Sequence, residues 1–173
     1  AHCKVIKSIQ RQNKKIQSIS NKITNKILNG GKLLFCGNGG SAADSQHLAA
    51  EFLIRLRPNI NRKPIPALSL AMDTSTLTAC GNDYSSDDIF LRTFLALKSE
   101  NDILFAITTS GKSKNIIKVL KEAKKHFSGQ IQNGNAKKNS PLYIVSCITL
   151  LSQHAAEIAT KKVIDELNIV KSS

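Results

Sequence analysis

Residues 35–47 read FCGNGGSAADSQH: three glycines within four positions, two serines and a histidine, placed where a buried-looking run gives way to a helical pattern. The run before it, Leu33-Leu34-Phe35-Cys36, has the length and uniform apolarity of a short strand covered on both faces. From Ala43 to about Leu56 the chain reads as a helix. A strand entering a helix through glycines is the repeating unit of parallel α/β sheets. In such sheets ligands bind at the carboxyl ends of the strands, where helix amino-termini offer unpaired N–H groups to an anion. Gly37, Gly39 and Gly40 are therefore expected to let a ligand approach the backbone closely.

The alternation continues outward. Ile9, Ile16, Ile19, Ile23 and Ile27 mark an amphipathic helix that ends at Asn29-Gly30-Gly31. The strand pattern of one chain offers this isoleucine stripe no partner, so it is expected to be buried between subunits. Beyond the loop holding Pro58, Pro64 and Pro66 comes a second strand, Ala67-Leu68-Ser69-Leu70-Ala71. Helical stretches follow near 74–80 and 87–98, with Asp87 and Asp88 at the start of the second, where the helix dipole favours negative charge. Ile103–Ile107 is the third strand, residues 108–113 (TTSGKS) form a polar turn, and a helix runs from about Asn115 to Lys125. Leu142–Cys147 fits another strand. The expected fold is α/β, a parallel sheet with helices on both faces in a three-layer sandwich.

Two strand-to-helix turns carry glycine and hydroxyl groups, and the second supplies Thr109, Ser110 and Ser113 to phosphate oxygens, so the sequence points to a phosphorylated small molecule. Neither turn is a P-loop, and the first departs from GxGxxG spacing. His47 and Glu51 stand four apart on the helix, one turn past the glycine turn, so imidazole and carboxylate can meet one metal ion or one substrate carbon.

Composition narrows the classes. The chain has 173 residues, 41% of them hydrophobic, enough for one domain with a core, and no stretch apolar enough to span a membrane. Cys3, Cys36, Cys80 and Cys147 are scattered without CxxC spacing, and no signal-peptide pattern is present, so a cytoplasmic protein without disulfides is expected. The net charge of +13 is concentrated in residues 1–32, at +8, and 112–138, at +7. With aromatic residues at 5% there is little for bases to stack on, and the lysines read as helix surface with attraction for an anionic substrate rather than as a nucleic-acid interface.

Three stretches, CGNGGSAADSQHLAAEF (36–52), MDTSTLTACGNDY (72–84) and TTSGKSKNI (108–116), closely resemble, in order and spacing, the sugar isomerase (SIS) domain family, and within it the bacterial phosphoheptose isomerases. The resemblance implies a flavodoxin-like parallel sheet, a homotetramer with active sites between subunits, one zinc ion per subunit, and aldose–ketose isomerisation of sedoheptulose 7-phosphate for the lipopolysaccharide core. It places Asn38, Gly39, Gly40, Ser41, Asn82, Asp83, Thr108, Thr109, Ser110 and Ser113 at the sugar phosphate. His47 and Glu51 become zinc ligands, and Glu51 the base that moves a proton between the first two carbons. The whole chain, 1–173, reads as one such domain: an N-terminal helix (1–29), a family-like core (30–125) and a divergent C-terminal part (126–173).

In that last part the family's second strand-and-glycine pattern is missing from HFSGQIQNGNAKKNSP (126–141). Gln153 matches the start of the family's final motif and is a candidate substrate contact and zinc ligand, but eight residues on stands Lys161 where the family has histidine. Lys161 and His154 are the two candidates for the second acid–base group. The residues leave the tail open between a native divergence, a degenerate copy and a shifted reading frame. The rival function is an SIS module without catalysis that binds a sugar phosphate or a protein partner, as the relatives that attach to the replication initiator do.

Overall fold

A computed structural model of the chain describes residues 13–132 and 143–147. The strands β1 (Leu33–Gly37), β2 (Ala67–Ser69), β3 (Ile103–Thr108) and β4 (Tyr143–Cys147) form one parallel sheet in the order β2-β1-β3-β4. Leu33 pairs with Ala67 on one side and with Ile103 on the other, and Gly37 pairs with Ile107.

Because side chains alternate across a strand, each apolar strand feeds two cores. Leu33, Phe35, Ile103 and Ile107 face the first, with Leu48, Ala49 and Phe52 of α2 (Gly40–Leu53) and Ile23 of α1 (Asn13–Leu28). Phe35 stacks on Phe52 and Phe105 at centroid distances of 6.0 and 5.2 Å. Leu34, Cys36, Leu104 and Ala106 face the second core, with Phe90 and Phe94 of α4 (Ile89–Leu97) and Ile116, Val119 and Ala123 of α5 (Lys114–Gln132). Leu77 of α3 (Thr74–Asp83) packs against the same core. The result is the expected helix–sheet–helix sandwich. The chain steps from β1 to β2 in one direction and from β2 past β1 to β3 in the other, so right-handed crossovers put the intervening helices on opposite faces.

Several elements differ from expectation. Ile23 is 1% exposed within a single chain, and Ile19 and Ile27 pack on the first core, so these isoleucines are not reserved for a subunit interface; Ile9 lies outside the described residues. The helix after the glycine turn starts at Gly40 rather than Ala43, β2 stops at Ser69, and α5 runs on to Gln132. Asp87 and Asp88 lie in a 3₁₀ turn, Ser86–Asp88, which the Ser85 hydroxyl caps by accepting from the Asp87 N–H. Asp73 caps α3, its carboxylate accepting from the N–H groups of Ser75 and Thr76 and from the Thr76 hydroxyl.

At the amino ends of β1 and β3, Asp102 is fully buried and accepts from the Lys32 N–H, the Lys32 ammonium, the Ser99 N–H and the Ser99 hydroxyl, at 3.0, 2.6, 2.8 and 2.8 Å. This carboxylate locks the starts of the two central strands together, and the opposite ends are left to the turns.

Candidate active site

β1 and β3 are neighbours whose connections leave in opposite directions, which opens a crevice between the turns at their carboxyl ends. The first turn comprises residues 37–40. Gly39 has φ +56°, a conformation other residues adopt only under strain, and a side chain on Gly39 or Gly40 would point into open space. Gly37 serves a different purpose from the one expected: a Cβ there would lie 2.4 Å from the Ser41 carbonyl oxygen, so its missing side chain lets the chain fold on itself rather than admit a ligand. Ser41 is buried in the first turn of α2, its carbonyl accepting from the Ser45 hydroxyl at 2.8 Å. Burial pushes the neighbouring Cys36 thiol up to about 12, which excludes it as a nucleophile at neutral pH.

In the second turn Thr108 is buried and its hydroxyl accepts from the Gly111 N–H at 3.2 Å, while the Ser110 hydroxyl accepts from the Lys112 N–H at 3.1 Å. Thr109 and Ser110 are exposed and Ser113 half-buried just before α5. The two turns are tied together by side chains 77 residues apart: the Asn38 amide donates to Asn115 Oδ1 at 2.9 Å, and the Asn115 amide donates to Asn38 Oδ1 at 2.8 Å. Sequence reasoning missed Asn115; the signal available was an asparagine at a helix start, where it can bond a nearby N–H.

His47 and Glu51 meet as the spacing requires, His47 Nε2 lying 3.6 Å from Glu51 Oε1. The imidazole side chain is 67% exposed and the carboxylate side chain 18%, and Glu51 Oε2 is buried without a hydrogen-bond partner among the described residues. The pair is farther from the glycine turn than the sequence suggested. Since α2 begins at Gly40, a rise of 1.5 Å per residue puts His47 about 10 Å and Glu51 about 16 Å along the helix, two and three turns from its start rather than one. The end of α2 is fastened by Arg62, another residue that sequence reasoning missed. Its guanidinium donates to the carbonyls of Phe52 and Lys63 at 2.8 and 3.0 Å and to that of Glu51. Burial lowers the Arg62 pKa while the Glu51 charge acts to raise it. Its signal was a basic residue beyond a helix end, where the last carbonyls lack partners.

Asn82 and Asp83 are exposed in the last turn of α3, the Asn82 amide donating to Asp83 Oδ1 at 2.8 Å, and no hydrogen bond among the described residues joins either to the two turns. Asp83 lines a cavity of about 600 Å³ with Leu70, Met72, Asp73, Tyr84 and Arg92. Gln153, His154 and Lys161 lie outside the described residues. Among the described residues no three metal-ligating side chains converge, and no helix is long and apolar enough to cross a membrane.

Residues 3–127 match the family model described as SIS domain. The chain is 47% identical over 116 residues to the phosphoheptose isomerase of Chlorobaculum parvum, covering 67% of this chain and 56% of that one. It is 51% identical over 108 residues to that of Shewanella loihica, covering 62% and 54%. The match thus spans little more than half the length of these curated relatives. Among solved structures, the phosphoheptose isomerase of Neisseria gonorrhoeae superposes with a TM-score of 0.71 at 29% identity, covering 96% of this chain and 92% of that one. That of Francisella tularensis gives 0.73 at 28%, covering 95% and 91%. On the extent of these matches the chain belongs to the SIS domain family.

Proposed function

We propose that the chain is a phosphoheptose isomerase, interconverting sedoheptulose 7-phosphate and D-glycero-D-manno-heptose 7-phosphate in the cytoplasm, for the synthesis of the lipopolysaccharide core. The observation that carries the proposal is Glu51 Oε2, a buried carboxylate oxygen without a hydrogen-bond partner among the described residues, on a helix that also presents a histidine. Buried carboxylate oxygens are ordinarily satisfied within the fold, so one that is not, beside a histidine, is suited to receive a ligand.

The residues divide the work. Thr109, Ser110 and Ser113, at the amino-terminal end of α5, take the phosphate. Asn38, Gly39, Gly40 and Ser41 line the sugar, and Thr108 shapes the second turn. Glu51 removes the proton on C1 of the ketose and returns it to C2, while the hydroxyl proton passes from the C1 oxygen to the C2 oxygen. His47 and Glu51 would hold zinc: an imidazole nitrogen and a carboxylate oxygen suit that ion, and Glu51 Oε2 has no hydrogen-bond partner among the described residues to compete with it. Bound there, zinc would supply polarisation of the sugar carbonyl. Gln153 is the proposed additional contact to substrate and metal, and Lys161 or His154 the second acid–base group.

The separation of Glu51 from its own glycine turn, about 16 Å along α2, supports a site shared between copies, the turns of one subunit facing α2 of another in a homotetramer. The test is a coupled isomerase assay on sedoheptulose 7-phosphate with zinc supplied, alongside light scattering. Turnover by an oligomer is expected. A protein that binds the sugar phosphate without turning it over would instead be the non-catalytic binding module, and a monomer that turns over would remove the shared site.

A further inference from the structure

We propose that Asn115 is a positioning residue that fixes the amide of Asn38 for recognition of a sugar hydroxyl, an inference that rests on the sugar-phosphate reading of the crevice. The orientation of both side chains follows from one backbone group. The Ile116 N–H can only donate, and it reaches Asn115 Oδ1 at 2.9 Å, so Asn115 must present its oxygen toward the helix start and its NH₂ away from it. That oxygen also accepts from the Asn38 amide at 2.9 Å, and the Asn115 NH₂ donates to Asn38 Oδ1 at 2.8 Å. The paired bonds leave one arrangement for Asn38: its oxygen and nitrogen cannot exchange places without setting donor against donor and acceptor against acceptor.

What remains on Asn38 is one N–H and one lone pair, directed away from the bridge on opposite edges of the amide. Neighbouring hydroxyls of a polyol can accept from the first and donate to the second, whereas a phosphate oxygen only accepts and can use the N–H alone. The bridged amide is therefore matched to the polyol part of the ligand, and the hydroxyls of the second turn to its phosphate. Asn38 itself sits on an exposed turn followed by Gly39 and Gly40, whose missing side chains leave open space beside it, so nothing in its own turn holds the amide as Asn115 does.

The test uses the full chain as wild type, Asn115→Ala and Asn115→Asp. The aspartate variant still accepts from the Ile116 N–H and from Asn38 but cannot donate to Asn38 Oδ1, so it isolates one of the two bridging bonds. Side-chain amide resonances of Asn38, read by nuclear magnetic resonance without ligand, should be dispersed in wild type, collapse toward those of an unrestrained asparagine in Asn115→Ala and lie between in Asn115→Asp. By calorimetry, Asn115→Ala should bind sedoheptulose 7-phosphate about three- to tenfold more weakly, the worth of one ordinary hydrogen bond, and inorganic phosphate as wild type does. Unchanged Asn38 resonances in Asn115→Ala would overturn the positioning role whatever the ligand does. Equal losses for phosphate and sugar phosphate would overturn the hydroxyl assignment. Wild type that binds inorganic phosphate but not the sugar phosphate, with the Asn38 resonances still collapsing in the variant, would strike down the sugar reading and leave the positioning intact.

Discussion

Asp102 and Glu51 are both carboxylates removed from water, yet the first accepts four hydrogen bonds, one of them from the Lys32 ammonium, while the second keeps one buried oxygen with no partner among the described residues. The first joins the starts of β1 and β3; the second stands on α2 beside an exposed histidine. Desolvating a carboxylate costs several kcal/mol unless bonds return it, so a fold keeps an unsatisfied one only where the rest of the structure absorbs the cost. Under the proposed function, the contrast separates a group that holds the sheet from a group that the sheet and helices hold ready.

The contrast can be broken most forcefully at Asp102. Asp102→Ala removes the acceptor of four hydrogen bonds, and it should lower stability by about 3 kcal/mol in urea unfolding while leaving turnover per folded molecule unchanged. A loss under 1 kcal/mol would place Asp102 and Glu51 in the same class.

Ser110 and Ser113 sharpen the comparison from the ligand side, since a hydroxyl reserved for phosphate should matter to binding and little to folding. Alanine at either position is expected to weaken sugar-phosphate binding by about 1–2 kcal/mol in titration calorimetry with the unfolding midpoint preserved. Unchanged affinity in both variants would remove the second turn from the site.

A third carboxylate, Asp73, gives the smallest effect. It is fully exposed yet satisfied, and its bonds with the Thr76 side chain and then the Thr76 N–H hold its pKa below the ordinary 3.8. A depressed folded pKa means that the cap's contribution is present above the ordinary range and is lost as pH falls through the lowered value. The Ser75 and Thr76 amide resonances should therefore move only below about pH 3.8, with the rest of the sheet unaffected. Movement already near neutral pH would show that the cap is not Asp73.

The fold was legible because the strands carry their own signal: Leu33–Cys36 and Ile103–Ile107 are apolar on both faces, and the glycines of residues 37–40 mark where the chain turns. The extent of α2 was less legible, since glycine and serine disfavour a helix locally, and the actual start at Gly40 is set by packing of Ser41 under Gly37. With the helix also stopping at Leu53 rather than about Leu56, Glu51 falls in its last turn. Asn115 and Arg62 escaped sequence reasoning because their partners, Asn38 and the carbonyls at the end of α2, are brought near only by tertiary structure. The fate of the isoleucine stripe was equally invisible, since the face of the sheet that α1 covers is chosen by the whole topology.

The central claim, that Glu51 is held ready to move a proton, is tested most directly by measuring kcat on sedoheptulose 7-phosphate for wild type and Glu51→Gln side by side with zinc supplied. Glutamine keeps the size and shape of the side chain but removes the basic oxygen. A fall of about 10²–10⁴ in kcat with an unchanged unfolding midpoint is the expected result. Glu51→Gln turning over at the wild-type rate would contradict the account.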